Sequence, residues 1–180
     1  MIFGDPKTFA IESITEPHLS PPSPVWGRMQ LLVDWYVFGD ISDEHCGLYG
    51  AYCGFRDLMS HQGQLWHSSF DGLGDNQIHD VVRHAIYGDD NRSSEKVMLD
   101  SQTYRPFDFL TNWGEQFDGF ASVIFQRDDK QTTIAHVPHS AFARTRPEGS
   151  PVSFHFSTAS FNSATMKFLT WFEAETKRLS

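Results

Sequence analysis

The segment from Trp26 to Gly39 constrains the fold more than any other part of the sequence. Apolar residues alternate with more polar ones along most of its length, which is typical of a strand with one buried face. The segment is long for one strand, so we expect a turn at Asp34-Trp35 to divide it into a hairpin. The sequence therefore predicts a sheet in the first part of the protein.

Four further segments have the composition of strands. Thr8–Thr15 predicts a short strand after the turn residues Gly4-Asp5-Pro6. Phe120–Phe125 and Thr132–Val137 are separated by a short polar stretch, and this arrangement predicts an antiparallel hairpin. Val152–Phe156 predicts a last strand, with its apolar residues on one face.

Two segments have the periodicity of amphipathic helices. Asp75 is the expected N-cap of the first, and Gly88 stands where a left-handed glycine often ends a helix. The second helix is predicted from Asn162 to Lys177, with an apolar stripe at helical spacing. The stripe consists of Phe161, Ala164, Phe168, Leu169 and Phe172.

A third helix is predicted from His45 to Met59, although three glycines weaken it. Gly47 and Gly54 lie seven residues apart, beside Ala51. We expect another element to approach closely along this strip of small residues. Residues 95–118 are ambiguous, except that Pro106 interrupts any long helix there.

The order of these elements is strands, helices, strands and a final helix. Segregated runs of this kind predict an α+β fold with a mainly antiparallel sheet packed against three or four helices. A length of 180 residues, with 39% hydrophobic residues, is typical of one domain with a packed core. We therefore expect residues 1–180 to form a single domain.

The charge balance restricts the class of partner. The chain has 14 Lys and Arg against 23 Asp and Glu, a formal net charge of −9. Nucleic acid is disfavoured, because its binding depends on basic residues that neutralise phosphates. A basic partner would be attracted by this charge, whereas simple solubility is the alternative explanation.

Cysteine usage and the absence of export signals predict a cytoplasmic protein. If Cys46 and Cys53 lie on one helix, about two turns separate them along the axis, and no disulfide can join them. Unpaired thiols fit a reducing compartment. The N-terminus lacks the pattern of a secretory signal, and no stretch is long and apolar enough for a membrane span.

The nine histidines do not predict a metal site. His79 and His84 are five residues apart on a predicted helix, so they point in directions about 140° apart and cannot share an ion. His136 and His139 flank the end of a predicted strand and could reach one ion, but no cysteine and carboxylate set lies nearby at ligand spacing.

Searches for catalytic groups lead to the same conclusion. The sequence contains no Gly-x-Ser-x-Gly elbow and no glycine-rich phosphate loop. His45 adjoins Cys46 but points about 100° away on a helix, which makes it a poor base. The pairs Asp89-Asp90 and Asp128-Asp129 lie in predicted loops, where acidic residues are usually solvated. We predict no catalytic residue and no cofactor, which leaves binding as the expected activity.

Three segments of the sequence resemble those of a known protein family. They are the opening residues Met1 to Pro6 followed by Phe9-Ala10-Ile11-Glu12, the strand from Trp26-Gly27-Arg28 to Gly39-Asp40, and the final helix with Phe168, Trp171 and Phe172. Together they resemble the bacterial immunity proteins of polymorphic toxin systems, in particular the immunity protein family numbered forty-two. The resemblance is best over the first forty residues. It implies a non-catalytic protein that binds and silences a cognate toxin, through the toxin's C-terminal effector domain.

Toxin binding of this kind would use an acidic face with aromatic anchors over a basic cleft. The candidate anchors are Trp35 and Tyr36, and the candidate acids are Asp40, Asp43, Glu44, Asp89 and Asp90. Two alternatives remain open. One is a small enzyme or metal-binding protein with a dispersed site near His136 and His139. The other is an interaction protein that has no toxin partner.

Overall fold

The computed structural model of the protein describes residues 1–42, 46–88, 91–138 and 151–180. Its first sheet is antiparallel, and its strands follow the order β1-β2-β3-β4, with β5 paired to the beginning of β3. These strands are β1 (Ile2–Asp5), β2 (Phe9–Thr15), β3 (Trp26–Val33), β4 (Tyr36–Phe38) and β5 (Cys46–Gly47). The predicted turn at Asp34-Trp35 is confirmed, because Val33 pairs with Tyr36 across it.

A second antiparallel sheet has the order β6-β7-β8-β9. Its strands are β6 (Asp108–Phe109), β7 (Phe120–Gln126), β8 (Gln131–Pro138) and β9 (Val152–Ser157). The predicted hairpin is the β7–β8 pair, in which Phe120 lies opposite Pro138 and Gln126 opposite Thr132. The predicted last strand is β9, which pairs with β8.

Four helices of more than one turn lie in the described ranges: α1 (Tyr49–Ser60), α2 (Asp75–Tyr87), α3 (Ser94–Tyr104) and α4 (Thr158–Arg178). With the two sheets they confirm the α+β prediction, and the strands are divided between two sheets rather than gathered in one. Every residue of the predicted α4 stripe is buried, although the helix begins four residues before the predicted start.

Aromatic residues of α4 and β9 join the two sheets into one core. The ring of Phe9 in β2 lies 5.0 Å from that of Phe156 in β9 and 4.9 Å from that of Phe161 in α4, measured between centroids. Phe3 of β1 lies 6.0 Å from Phe168 of α4 in the same way. One face of the first sheet is therefore covered by α4 and by the second sheet.

The helix predicted from His45 to Met59 begins later than expected. Cys46 lies in β5, where it pairs with Gly27, α1 starts at Tyr49, and His45 lies outside the described residues. The argument that one helix separates the two cysteines is therefore wrong, although no disulfide joins them in the structure. Tertiary pairing with β3 holds Cys46 in an extended conformation that local periodicity does not reveal.

The expected close approach to the α1 glycines is confirmed, and the approaching residue is Trp113. A Cβ at Gly50 would lie 2.8 Å from the Trp113 carbonyl oxygen, and one at Gly54 would overlap the indole. The indole also packs against Phe55, with ring centroids 4.8 Å apart. The glycines of α1 thus leave room for a tryptophan from the segment between β6 and β7.

Both ends of α2 differ from the prediction. Gly74 is the N-cap, and Asp75 is the first helical residue. Gly88 follows the helix with a φ of −63°, so it is not left-handed. Arg92 accounts for this difference, because its guanidinium donates hydrogen bonds to the carbonyl oxygens of His84, Ala85 and Gly88 at 3.0–3.1 Å. A side chain here satisfies the helix end that a left-handed glycine would otherwise close.

Candidate functional site

The turn between β3 and β4 presents the candidate anchor Trp35. Asp34 and Trp35 have φ values of +47° and +62°, the double left-handed conformation of a type I′ hairpin, which favours Asn-Gly or Asp-Gly. A bulky side chain in this region is an outlier that costs about 1–3 kcal/mol. The Trp35 side chain is nevertheless 64% exposed, so little burial offsets that strain. The turn holds an indole in solvent.

A backbone hydrogen bond ties this turn to the neighbouring one. The Trp35 N–H donates to the Pro6 carbonyl oxygen at 3.0 Å. Pro6 lies in the connection between β1 and β2. The two turns therefore lie together at one end of the first sheet, with Trp35 held against the end of β1.

The candidate anchor Tyr36 has a different environment. It is half-buried, and its ring centroid lies 4.9 Å from that of Phe154 and 5.1 Å from that of His136. Both neighbours belong to the second sheet. The side chain contributes to the packing between the two sheets and presents only part of its ring to solvent.

Asp40 lies beyond β4 and organises the chain there. Its N–H donates to the Gln116 carbonyl oxygen at 2.8 Å, and its Oδ1 accepts hydrogen bonds from the Ser42 N–H at 2.8 Å and hydroxyl at 2.6 Å. These bonds fix the start of the segment that carries two further candidate acids. Asp43 and Glu44, together with Asp89 and Asp90, lie outside the described residues and stay predictions.

The described candidates thus divide into two places. Trp35 and Tyr36 are adjacent at the β3–β4 turn, and Asp40 follows the far end of β4. A strand of this length separates the turn from Asp40 by about 13 Å. They share one edge of the first sheet without converging on a cavity, which is an arrangement that suits contact with a large partner.

His136, central to the alternative of an enzyme, is packed among aromatic rings. It is fully buried in β8, with its ring centroid 4.6 Å from Phe38 and 5.9 Å from Phe120. His139 lies outside the described residues. Within the described part of the chain, no three His, Cys, Asp or Glu residues form a group that could hold a metal ion. This environment supplies packing rather than a polar reaction site.

A cleft of ≈ 440 Å³ lies between the β7–β8 turn and the segment after α1. Trp66, Arg127, Asp128 and Asp129 are among its lining residues. Arg127 is engaged by Asp75, 2.6 Å away. Asp128 Oδ1 accepts hydrogen bonds from the N–H groups of Lys130 and Gln131, which confirms its predicted role as a turn residue.

Ionisable groups with shifted pKa values lie at the α2–α3 corner. Burial, followed by its hydrogen bond to Asp108, raises the pKa of Tyr87. A hydrogen bond from Lys96, and then one from Arg92, lowers the pKa of Asp100. Tyr87 donates to Asp108 Oδ2 at 2.5 Å, and Asp100 accepts from Lys96 and Arg92 at 2.6 and 2.9 Å. These bonds are structural, because they join α2, α3 and β6.

Sequence reasoning did not single out the side of the first sheet that faces away from α4. On each strand the residues between the core positions point to this side. Six of them are apolar: Ile2, Ala10, Ile14, Trp26, Leu32 and Val37, of which Ala10 alone is fully buried. The sequence does contain a signal for this apolar side, because β2 and β3 carry apolar residues at outward as well as inward positions.

The chain is similar to known proteins in both sequence and fold. A family model described as Immunity protein 42 matches residues 1–170. A solved structure, the crystal structure of CdiI from Burkholderia dolosa AUO158, aligns with a TM-score of 0.64 and 11% sequence identity, over 95% of this chain and 99% of that chain. At this identity the likeness shows the fold alone. No curated protein matches the chain.

A helix that crosses a membrane needs about 20 mostly apolar residues. In the ranges that the structure describes, no helix combines the length and the apolar character needed to cross a membrane.

Proposed function

The chain belongs to the immunity protein 42 family, and from that premise we propose that it neutralises its cognate toxin by covering a basic cleft of the toxin's C-terminal effector domain. The match over residues 1–170 carries this proposal. It spans both sheets, α1, α2 and α3, and most of α4. The chain thus acts as an inhibitor by binding, without chemistry of its own.

The charge of the chain supports a basic effector domain as the partner. A net charge of −9 attracts a basic surface and accelerates encounter, an effect that weakens as salt is added. Asp40, with the candidate acids Asp43, Glu44, Asp89 and Asp90, would form the rim of the contact. Rim charges chiefly raise the association rate.

Trp35 is the residue best suited to anchor the complex. Tryptophan is over-represented among interface residues whose truncation costs most affinity. Its indole is exposed at a turn whose backbone conformation is unfavourable for it. A role in contact with the partner explains why a tryptophan occupies a position that suits glycine. Tyr36, packed between the sheets, would support the turn and offer the exposed part of its ring.

We place the protein in the cytoplasm, where an effector domain would act, and treat residues 1–180 as one domain. Cys46 and Cys53 form no disulfide with each other, which is compatible with a reducing compartment. The rings of Phe9, Phe156 and Phe161 connect both sheets with α4, which favours a single cooperative unit.

Co-expression tests the proposal directly. The C-terminal domain of the cognate toxin is induced in cells with and without the protein, and growth is followed. We expect growth to be restored and the two proteins to co-purify. Equal killing in the presence of folded protein would overturn the proposal.

A titration in vitro separates occlusion from catalysis. Toxin activity is measured while the purified chain is added to a fixed amount of toxin domain. Occlusion predicts a linear loss of activity that ends at a fixed molar ratio and does not progress with time. An enzyme that destroyed the toxin or its product would protect at far below that ratio, with an effect that grows during incubation.

A further inference from the structure

We infer that the outward face of the first sheet is the surface on which the toxin's effector domain docks, an inference that rests on the proposed function. The outward face is defined by the side chains of Ile2, Ile14, Trp26, Leu32 and Val37, with Glu12, Arg28 and Gln30 among them.

The strand register places these side chains on one side of the sheet. Leu32 lies directly opposite Val37, Ile14 opposite Arg28, and Glu12 opposite Gln30. Directly opposed residues of antiparallel strands share a face. Their neighbours along each strand point the other way and are buried: Phe9, Ile11, Met29, Leu31 and Val33.

The composition of this face departs from that of a solvated sheet. Antiparallel sheets with one face in water usually alternate apolar inward with polar outward residues. Here four apolar side chains from four strands remain open to solvent: Ile2 at 52%, Ile14 at 41%, Trp26 at 38% and Val37 at 42% exposure. Apolar residues grouped in this way are typical of an interaction surface.

The face continues into the turn that presents Trp35. Val37 lies two residues after Trp35, and the Trp35 N–H is bound to Pro6 at the end of β1. A partner that contacts this end of the sheet would meet the indole and Val37 together. The proposed anchor thus lies in the turn that precedes Val37, at one end of the outward face.

Charge distinguishes a basic effector domain from a second copy of this chain as the occupant. Glu12 and Arg28 balance each other on the face, and the turns at its end carry Asp34 and Lys7. A second copy would bring its own net charge of −9, so self-association is opposed by repulsion. A basic domain is attracted by the negative charge of the chain, while its own apolar residues cover the exposed apolar side chains of the face.

The test introduces positive charge into the face of the full chain. Val37→Arg and Ile14→Arg are compared with Met166→Arg, a matched control on α4, where Met166 is 53% exposed. All three positions are open to solvent, so each variant should fold, and thermal unfolding is measured for each. The probe is the purified C-terminal domain of the cognate toxin, and affinity is measured by calorimetry.

We expect Val37→Arg and Ile14→Arg to weaken binding at least about 30-fold, as at interface positions that dominate affinity, and Met166→Arg to leave it unchanged. If the wild type binds and both face variants bind equally well, the inference is wrong and the proposed function stands. If the wild type does not bind the domain, both fail. A wild-type dimer that Val37→Arg dissociates would assign the face to self-association and overturn the inference.

Discussion

The indole of Trp113 lies against the backbone of α1 at Gly54, with no room for a side chain between them. Trp113 comes from the segment between β6 and β7, and it is 93% removed from solvent, with 7% exposure. The contact joins the first long helix to the second sheet. Glycine is therefore required here for packing, in the interior of a helix where it is intrinsically unfavourable.

We predict that Gly54→Ala destabilises the protein by about 2 kcal/mol or more, because overpacking outweighs the gain in helix propensity of about 1 kcal/mol. Urea denaturation gives the free energy of unfolding. Gly63→Ala is the control, since a Cβ at Gly63 meets nothing within 4 Å. A Gly54→Ala variant as stable as the wild type would show that Trp113 can move aside.

Trp35→Gly should separate stability from function. Glycine adopts the left-handed conformation of Trp35 (φ +62°) without strain, so we expect the free energy of unfolding to rise by about 1 kcal/mol. Loss of the exposed indole should weaken toxin binding at least about tenfold. Urea denaturation and calorimetry measure the two quantities. A variant that binds the toxin domain as tightly as the wild type would remove Trp35 as an anchor.

Asp100 should make the stability of α3 depend on acid pH. Its pKa is lowered by the hydrogen bond from Lys96 and then by that from Arg92. The stabilisation is therefore present above the usual aspartate range, and it is lost as the pH falls below about 4 and through the lowered pKa. Asp100→Asn should be less stable than the wild type at pH 7, with the gap closing in acid.

Denaturant titrations at several pH values measure this gap. Glu95→Gln is the matched control, because Glu95 is exposed on the same helix and should show no comparable gap. A gap for Asp100→Asn that persists unchanged at pH 2 would mean that its carboxylate charge does not support the corner between α2 and α3.

His136→Ala should act on stability alone. The residue is fully buried among Phe38, Tyr36, Phe120 and Phe154, so truncation leaves a cavity that costs about 3 kcal/mol. We expect the folded fraction to bind and inhibit the toxin normally. Thermal unfolding and the activity titration test this together. Loss of inhibition with unchanged stability would support the alternative of a reactive site at His136.

Local patterns in the sequence predicted the elements whose periodicity is complete. The β3–β4 turn, the β7–β8 hairpin and the stripe of α4 follow from alternation or helical spacing. By contrast, α3 was left ambiguous because its first six residues are all exposed. The helix is held by the ion pairs of Asp100 and by the packing of Tyr104 against Phe70, which periodicity cannot show.

Long-range contacts account for the errors at helix ends. Cys46 pairs with Gly27 of β3, a contact that no local window contains, so the helix was started too early. Arg92 satisfies the end of α2, so Gly88 has no need of a left-handed conformation. Asp75 was expected to cap α2, but its carboxylate pairs instead with Arg127 and His155 of the second sheet.

The candidate surface was predictable only in part. Trp35 stood out as an aromatic residue at a turn, and the structure adds that its backbone is left-handed and its side chain exposed. The inward packing of Tyr36 depends on Phe154, more than a hundred residues later, so sequence alone could not show it. The acids Asp43, Glu44, Asp89 and Asp90 remain predictions.

The placement of Phe9 between Phe156 and Phe161 also affects synthesis of the protein on the ribosome. The first hairpin is made before the rings that cover it, which follow more than a hundred residues later. Contacts between such distant residues slow folding, and until then the nascent chain exposes apolar strands. Inhibition of a toxin made at the same time therefore begins only after the chain has left the ribosome as far as Phe161.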